Sequence, residues 1–245
     1  MRKQLLALTF IMFGCISVVQ AQGVTWTKYQ IFSSEDQFDL TDATQTWGIN
    51  AGGTEAIDVV RMIDGVPITF FGKSMNQNGQ VVTTTDYSGY LDSPADAYSY
   101  ANTLKFGAMS TEMKAVFNMC ELSDQNGEYK IKQLVTGARY RIHLIAPGKI
   151  PSGFDGRKFF MDEETQYLTC FGSYGSNFGV GMVTGEFTAT SDTQVFSMRG
   201  EAGDPGCGFS AIVVSQVGDV PEPAMLALLG AGAVALIRRR RCNSA

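Results

Sequence analysis

The chain has 245 residues, of which 44% are hydrophobic and 18% charged, and its formal net charge is −5. This composition excludes wholesale disorder and fits a globular domain with apolar ends. The two ends hold six basic residues (Arg2, Lys3 and Arg238 to Arg241), so the middle keeps 13 basic against 23 acidic residues. We therefore exclude nucleic acid as a partner, because its binding depends on neutralising phosphates.

The chain begins with the features of a secretory signal peptide. Arg2 and Lys3 form a short positive region, residues 5–19 are mostly apolar, and Ala21 ends a Val-Gln-Ala sequence suited to signal peptidase. We expect residues 1–21 to be removed during export, with cleavage after Ala21. A buried first element of the fold and lipidation at Cys15 are the two alternatives.

Period-two alternation dominates residues 22–219, where we expect one domain with no internal linker or repeat. An Asp64-Gly65 pair between two apolar runs predicts a two-residue hairpin turn. Many short strands with glycine turns favour an all-β fold, an antiparallel two-sheet sandwich or jelly roll with one or two short helices. The predicted strands are residues 25–32, 57–63, 66–71, 80–84, 129–133, 139–145, 184–190, 194–198 and 209–217.

One stretch departs from strand periodicity. Apolar residues recur there at i, i+4, i+7, i+8 and i+11, which predicts a short amphipathic helix with Ser110 or Thr111 as its cap. The residues of this helical face are Met109, Met113, Val116, Phe117 and Cys120.

The strand at residues 139–145 carries the chain's single histidine, His143. One histidine excludes zinc sites that need several, and the sequence has no Gly-x-Ser-x-Gly nucleophile motif. Alternation places Arg139, Arg141 and His143 on one face, so we expect His143 to be a surface or half-buried strand residue rather than a catalytic base.

Carboxylates offer the remaining route to catalysis, since glycoside hydrolysis needs only two of them. Asp162, Glu163 and Glu164 form the densest cluster. Adjacent carboxylates at a turn point in different directions, so we expect a solvated cluster and no catalytic residue. Calcium is the one cofactor left open, at this cluster or at Asp124 with Asn126 and Glu128.

A glycine-rich stretch at residues 172–179 contains no phosphate-binding lysine and predicts a loop. Sugars stack on exposed aromatic rings while amide side chains bind their hydroxyls. The loop is therefore a candidate ligand contact, and the alternative is that its aromatics pack beneath the glycines. The candidate contact residues are Phe171, Tyr174, Asn177 and Phe178.

Three cysteines remain in the exported domain: Cys120, Cys170 and Cys207. In an oxidising compartment one pair can form a disulfide and leave one thiol over. Cys170 with Cys207 is the preferred pair because both lie in the strand-rich C-terminal half. Their spacing does not fit a zinc site.

The C-terminal end, residues 220–245, combines three ordered features. Val220, Pro221, Glu222 and Pro223 precede fourteen uncharged, mostly apolar residues, 224–237, and then come Arg238, Arg239, Arg240 and Arg241. As a helix the apolar segment rises about 21 Å, short of a hydrocarbon core of about 30 Å. We expect a transient membrane anchor whose arginines stay in the cytoplasm.

These features together resemble the PEP-CTERM sorting signal, found in bacteria with an outer membrane, many of which make extracellular polysaccharide. The resemblance implies recognition by an exosortase, a membrane-bound cysteine transpeptidase that cuts near Pro221, Glu222 and Pro223. The middle also resembles galactose-binding-like jelly-roll domains, through residues 137–144, 185–189 and 211–214.

We therefore predict an exported protein that meets signal peptidase and exosortase, contacts the inner membrane transiently and reaches the cell surface or extracellular matrix. Its sandwich is expected to contact extracellular glycan or surface proteins without catalysis. The alternatives are a secreted glycan-active hydrolase with paired carboxylates and a purely structural surface protein.

Overall fold

The computed structural model describes residues 23–51, 53, 55–72, 86–87, 91–92, 96–99, 109–117, 119–123, 126–146, 158–169, 180–201 and 207–218. The predictions for the signal peptide, the strand at 80–84, the loop aromatics and the C-terminal sorting segment lie outside these residues. Within the described ranges, no helix has the length and apolarity needed to cross a membrane.

The described residues form sixteen strands, one short α-helix, α1 (Thr111–Val116), and a 3₁₀ helix (Glu35–Gln37). The strands are β1 (Thr25–Phe32), β2 (Ala43–Asn50), β3 (Ile57–Val60), β4 (Pro67–Phe71), β5 (Asp86–Tyr87), β6 (Leu91–Asp92), β7 (Asp96–Ser99), β8 (Met119–Ser123), β9 (Gly127–Ile131), β10 (Arg139–Ile145), β11 (Lys158–Met161), β12 (Tyr167–Thr169), β13 (Val180–Thr188), β14 (Gln194–Gly200), β15 (Cys207–Phe209) and β16 (Ala211–Val217).

The strands form two main sheets. The large sheet has the order β1-β13-β10-β16-β2-β4-β3, and the six-stranded sheet has the order β12-β11-β14-β9-β6-β5. A small third sheet has the order β15-β8-β7. Pairing is antiparallel except between β2 and β4, which run parallel. The predicted all-β sandwich is confirmed, with one parallel pair that the sequence did not indicate.

The main core lies between the two sheets. Ile142 and Leu144 of the large sheet belong to the same buried cluster as Tyr129, Phe159 and Phe196 of the six-stranded sheet. The rings of Tyr129 and Phe196 stack with their centroids 5.3 Å apart. Alternation along the strands sends these side chains inward and leaves every second residue on an outer face.

The outer face of the large sheet is also covered over part of its area. A second buried cluster there joins Phe32, Phe38 and Phe70 to Met113 of α1 and Val213 of β16. Since β16 has apolar neighbours on both faces, all seven of its residues are buried. This explains why its first four residues, Ala211 to Val214, are all apolar rather than alternating.

Several local predictions differ from the structure. The helix is shorter than its periodicity suggested: Ser110 accepts the Met113 N–H at 3.1 Å as predicted, but Cys120 lies in β8. The β3–β4 turn has four residues, because the Arg61 N–H donates to the Val66 carbonyl at 3.0 Å, and Gly65 within it has φ 70. Ser210 separates β15 from β16, and the strands that were not predicted are β2, β5, β6, β7, β8, β11 and β12.

Candidate functional site

Asp162, the first member of the acidic cluster, has a structural role. Its carboxylate accepts the Trp26 indole N–H at 2.7 Å, the Ser197 backbone N–H at 2.7 Å and the Ser197 hydroxyl at 3.1 Å. Trp26 lies in β1 and Ser197 in β14, so Asp162 ties the two sheets together. Burial, with Glu164 and then Asp162 adding negative charge, raises the pKa of the Tyr29 hydroxyl to about 12.

His143 is buried, with 1% of its surface exposed, so the expectation of a surface or half-buried residue is wrong. The segment between β1 and β2 crosses over it, and the rings of Phe38 and His143 lie 5.6 Å apart. Its Nδ1 is 3.0 Å from the Thr184 hydroxyl and its Nε2 is 3.4 Å from the Asp39 carbonyl. Burial lowers the pKa of His143 to about 4, so the ring is neutral and acts in packing.

An ion-pair network borders the histidine. The Arg141 guanidinium contacts Glu186 and Asp39, each at 2.9 Å, and Arg139 approaches Glu186 at 3.4 Å. Burial opposes ionisation of Asp39, but hydrogen bonds from Thr41 and the nearby Arg141 charge leave its pKa below the usual value. Each carboxylate has a basic or hydrogen-bonding partner, so the network is a stabilising contact between the crossing segment and the sheet.

The calcium hypotheses gain no support from the described residues. No three His, Cys, Asp or Glu side chains converge among the ranges that the structure describes. Asn126 accepts the Gly200 N–H at 3.1 Å through its side-chain oxygen, which links the residue before β9 to the end of β14. Asp124 lies outside the described residues, and so does Cys170. The disulfide between Cys170 and Cys207 stays a prediction.

A row of large side chains crosses the outer face of the six-stranded sheet. Phe160 of β11 is paired with Tyr167 of β12 on one side and with Arg199 of β14 on the other. Directly opposed residues of paired strands share a face, so these three side chains stand side by side. We call Tyr167, Phe160 and Arg199 the aromatic row.

The aromatic row is open to solvent at its edge. Tyr167 is 45% exposed, and Phe160 is half-buried. Their ring centroids lie 5.7 Å apart, with a tilt of 58° between the rings. The Arg199 guanidinium carbon lies 4.7 Å from the centroid of the Phe160 ring, within the range of a cation–π contact.

Backbone carbonyls fix the orientation of Arg199. Its Nε donates to the Asp162 carbonyl at 3.2 Å, and its terminal nitrogen donates to the Glu164 carbonyl at 3.0 Å. Asp162 itself adopts φ 45, a backbone conformation that Asp tolerates better than most residues. Besides the side-chain contacts of Asp162, the backbone of the acidic cluster therefore forms the turn that positions Arg199 over Phe160.

An exposed ion pair flanks the row. The Lys158 ammonium lies 2.6 Å from Glu201 and 5.1 Å from the centroid of the Tyr167 ring. The hydrogen bond to Glu201 raises the pKa of Lys158 above its ordinary value. Hydrogen-bond donors and acceptors thus adjoin an exposed ring, which is the combination that sugar recognition needs.

Reasoning from the sequence missed the aromatic row because it missed β11 and β12. The available indication was the alternation of Lys158 and Phe160 with buried Phe159 and Met161. The predicted contact residues Phe171, Tyr174, Asn177 and Phe178 lie outside the described residues. In sequence they closely follow β12, the strand that carries Tyr167.

Comparisons with known proteins bear on the C-terminal end and on the fold. A family model described as the PEP-CTERM protein-sorting motif matches residues 219–241. A comparison of the sequence with curated proteins gives no match.

Two solved structures illustrate the level of structural similarity. The ANX1 ectodomain from Arabidopsis thaliana has a TM-score of 0.47 and 12% identity, over 82% of this chain and 57% of that one. The ANXUR2 extracellular domain from Arabidopsis thaliana has a TM-score of 0.43 and 11% identity, over 71% and 41%. The chain thus spans about half the length of these ectodomains, and similarity at this level carries no inference about function. The resemblance to galactose-binding-like domains stays a prediction, whereas the match at residues 219–241 confirms that the chain ends in a PEP-CTERM sorting motif.

Proposed function

We propose that this exported, exosortase-sorted protein binds extracellular glycan through the aromatic row and does not cleave it. The sorting motif itself supports export, exosortase processing and membrane-anchored sorting toward the cell surface. The glycan-binding role rests on one observation, the exposed Tyr167 ring beside Phe160 and Arg199 on an open sheet face.

The chemistry of the row favours a saccharide over an apolar ligand. A pyranose ring presents C–H groups on one face, which pack on an aromatic ring, and hydroxyls at its rim. Around Tyr167 the hydroxyls meet a cation at Lys158 and a carboxylate at Glu201, which already hydrogen-bond each other. A sugar hydroxyl can donate to the carboxylate and accept from the ammonium without leaving either group unpaired.

The acidic cluster argues for binding without hydrolysis. A hydrolase needs one carboxyl group free to donate a proton and a second free to act as base or nucleophile. The two carboxylate oxygens of Asp162 already accept three hydrogen bonds from Trp26 and Ser197. Of its neighbours, Glu163 is exposed and Glu164 is half-buried.

The test compares two alanine variants on the same sheet face. We would bind the chain spanning residues 22–245 to immobilised polysaccharides and assay released reducing sugar in parallel. Tyr167→Ala removes the exposed ring, and we expect it to weaken glycan binding roughly two- to twelvefold, since stacking on one ring contributes about 0.5–1.5 kcal/mol. Val195→Ala trims an exposed residue of β14 away from the row and serves as the matched control.

Binding that is lost in Tyr167→Ala and kept in Val195→Ala, with no sugar released, supports the proposal. Equal glycan binding by the two variants would show that the aromatic row is not the binding site. Release of sugar would favour the hydrolase alternative, and Glu163→Gln and Glu164→Gln would then show whether the acidic cluster carries it.

A further inference from the structure

The hairpin between β3 and β4 exposes apolar side chains and buries a charged one. Met62 and Ile63 in the turn are 61% and 71% exposed, and Val60 and Val66 on either side are 51% and 37% exposed. Arg61, between them, is only 7% exposed. These four apolar residues, which we call the apolar hairpin, make up half of the eight large apolar side chains exposed within the described ranges.

Polar contacts hold the turn in this arrangement. The Arg61 guanidinium pairs with Asp64 at 3.2 Å, and the Asp64 carboxylate also accepts the Val66 N–H at 3.0 Å. On its other side, the Ile63 N–H donates to the Asp36 carboxylate at 3.0 Å. Polar contacts within the turn and from Asp36 therefore fix its conformation, and its apolar side chains are exposed.

The apolar hairpin lies near the point where the chain leaves the sandwich. Arg61 and Asp64 line a groove of about 520 Å³ that also contacts Thr41. Thr41 in turn lines a second groove of about 500 Å³, together with Gly218. The Gly218 N–H donates to the Asp42 carbonyl at 3.0 Å, which fixes the end of β16 beside this groove.

Only a short segment separates Gly218 from the apolar segment of the sorting signal. Residues 219–223 intervene, and five extended residues span at most about 17 Å. While residues 224–237 anchor the chain, this side of the sandwich is therefore held close to the bilayer. Clusters of exposed apolar side chains can mark sites of contact with a protein or a membrane.

We propose that the apolar hairpin lies in the interface of the same lipid bilayer that holds the C-terminal anchor. The four aliphatic side chains enter the headgroup region, and the anchor supplies proximity, so that weak insertion suffices. The Arg61–Asp64 pair neutralises the turn, and Asp36 lies beside it, so insertion relies on apolar contact rather than on attraction to anionic lipid. This proposal rests on the sorting motif and not on glycan binding.

Tryptophan fluorescence in vesicles tests the proposal directly. The chain spanning residues 22–245 is reconstituted in phosphatidylcholine vesicles with or without bromine on the acyl chains, and only protein that floats with vesicles is measured. Ile63→Trp and Met62→Trp each place a reporter at the turn. Val195→Trp places one at an exposed site on the six-stranded sheet, and the parent chain corrects for Trp26 and Trp47.

We expect the added emission of Ile63→Trp and Met62→Trp to fall at least about twofold in brominated vesicles, with a shift to shorter wavelength, because tryptophan settles at the interface. Val195→Trp should be unchanged. Absence of quenching at both hairpin positions, or equal quenching at position 195, would overturn the proposal. So would a wavelength shift that depends on protein concentration but not on bromine, because a second copy of the chain would then cover the apolar hairpin.

Discussion

The two outer faces of the sandwich start from the same strand alternation and end in opposite states. On the large sheet, α1 and the segment between β1 and β2 cover the outward residues, so that Phe38 and Phe70 are fully buried. On the six-stranded sheet the outward residues Phe160 and Tyr167 remain partly exposed. Whether an outward aromatic residue on a strand becomes part of the core or stays available for contacts thus depends on whether another segment of the chain covers it.

The largest expected effect tests this difference with one substitution on each face. Phe38→Ala should lower the free energy of unfolding by about 3–5 kcal/mol, because it opens a cavity among Phe32, Phe70 and His143. Phe160→Ala, on the open face, should lower the free energy of unfolding by roughly 1 kcal/mol. Urea denaturation of both variants gives the comparison, and similar losses would mean that the open face is not open in solution.

The second prediction concerns the charge of His143, which lies beneath the segment between β1 and β2. The unfolded chain protonates His143 near its ordinary pKa of 6.5, whereas the folded chain does so at about 4. The stability contributed by the neutral ring is therefore complete above pH 6.5 and is lost as the pH falls toward 4. The difference between these two pKa values corresponds to a total loss of roughly 3 kcal/mol in the free energy of unfolding, since each pKa unit is equivalent to about 1.36 kcal/mol.

A proton NMR titration can measure this directly, since His143 is the only histidine in the chain. A midpoint near 4 supports the buried ring, and a midpoint near 6.5 would show that the segment containing Phe38 and Asp39 does not cover it in solution. The pH dependence of unfolding should weaken in His143→Gln, which cannot take up the proton.

The smallest of the three effects tests the link between the sheets. Asp162→Asn preserves the side-chain shape and tolerates the same backbone conformation. It places an amide N–H₂ where Asp162 accepts from Ser197 or from the Trp26 indole, so one hydrogen bond becomes a repulsive contact. We expect a loss of about 1–3 kcal/mol in unfolding free energy.

Glu163→Gln is the control for that change, because Glu163 is exposed and a surface substitution should alter stability by less than about 0.5 kcal/mol. Intrinsic tryptophan fluorescence gives a second measurement, since it reports the surroundings of Trp26. Equal stability of the two variants would mean that Asp162 does not connect the sheets.

Sequence patterns correctly predicted the elements that are determined by residues close to them in the chain. The bounds of β1 and β10 match their predicted strands, and Ser110 caps α1 as expected. By contrast β2 was missed, because half of its residues are polar and it includes Gly48. A Cβ there would lie 2.6 Å from the Phe70 ring, so glycine is needed because of a residue on the neighbouring strand.

The rest depends on contacts between distant parts of the chain. The Asp39 carbonyl that approaches His143 is 104 residues away in sequence, and no pattern near position 143 predicts this contact. The aromatic row likewise exists only through the register of β11 with β12 and β14. A slip of one residue would turn Phe160 inward, and sequence periodicity alone does not fix the pairing partner.

The position of β16 also determines how the protein withstands force once it is attached through its C-terminal end. This strand lies between β10 and β2, and each of its seven residues is paired on both sides. A pull on Gly218 along the strand loads both hydrogen-bond ladders in shear, so many bonds must break together. A strand at the sheet edge could instead be peeled away one bond at a time, so attachment through this end would place the load on a mechanically resistant element.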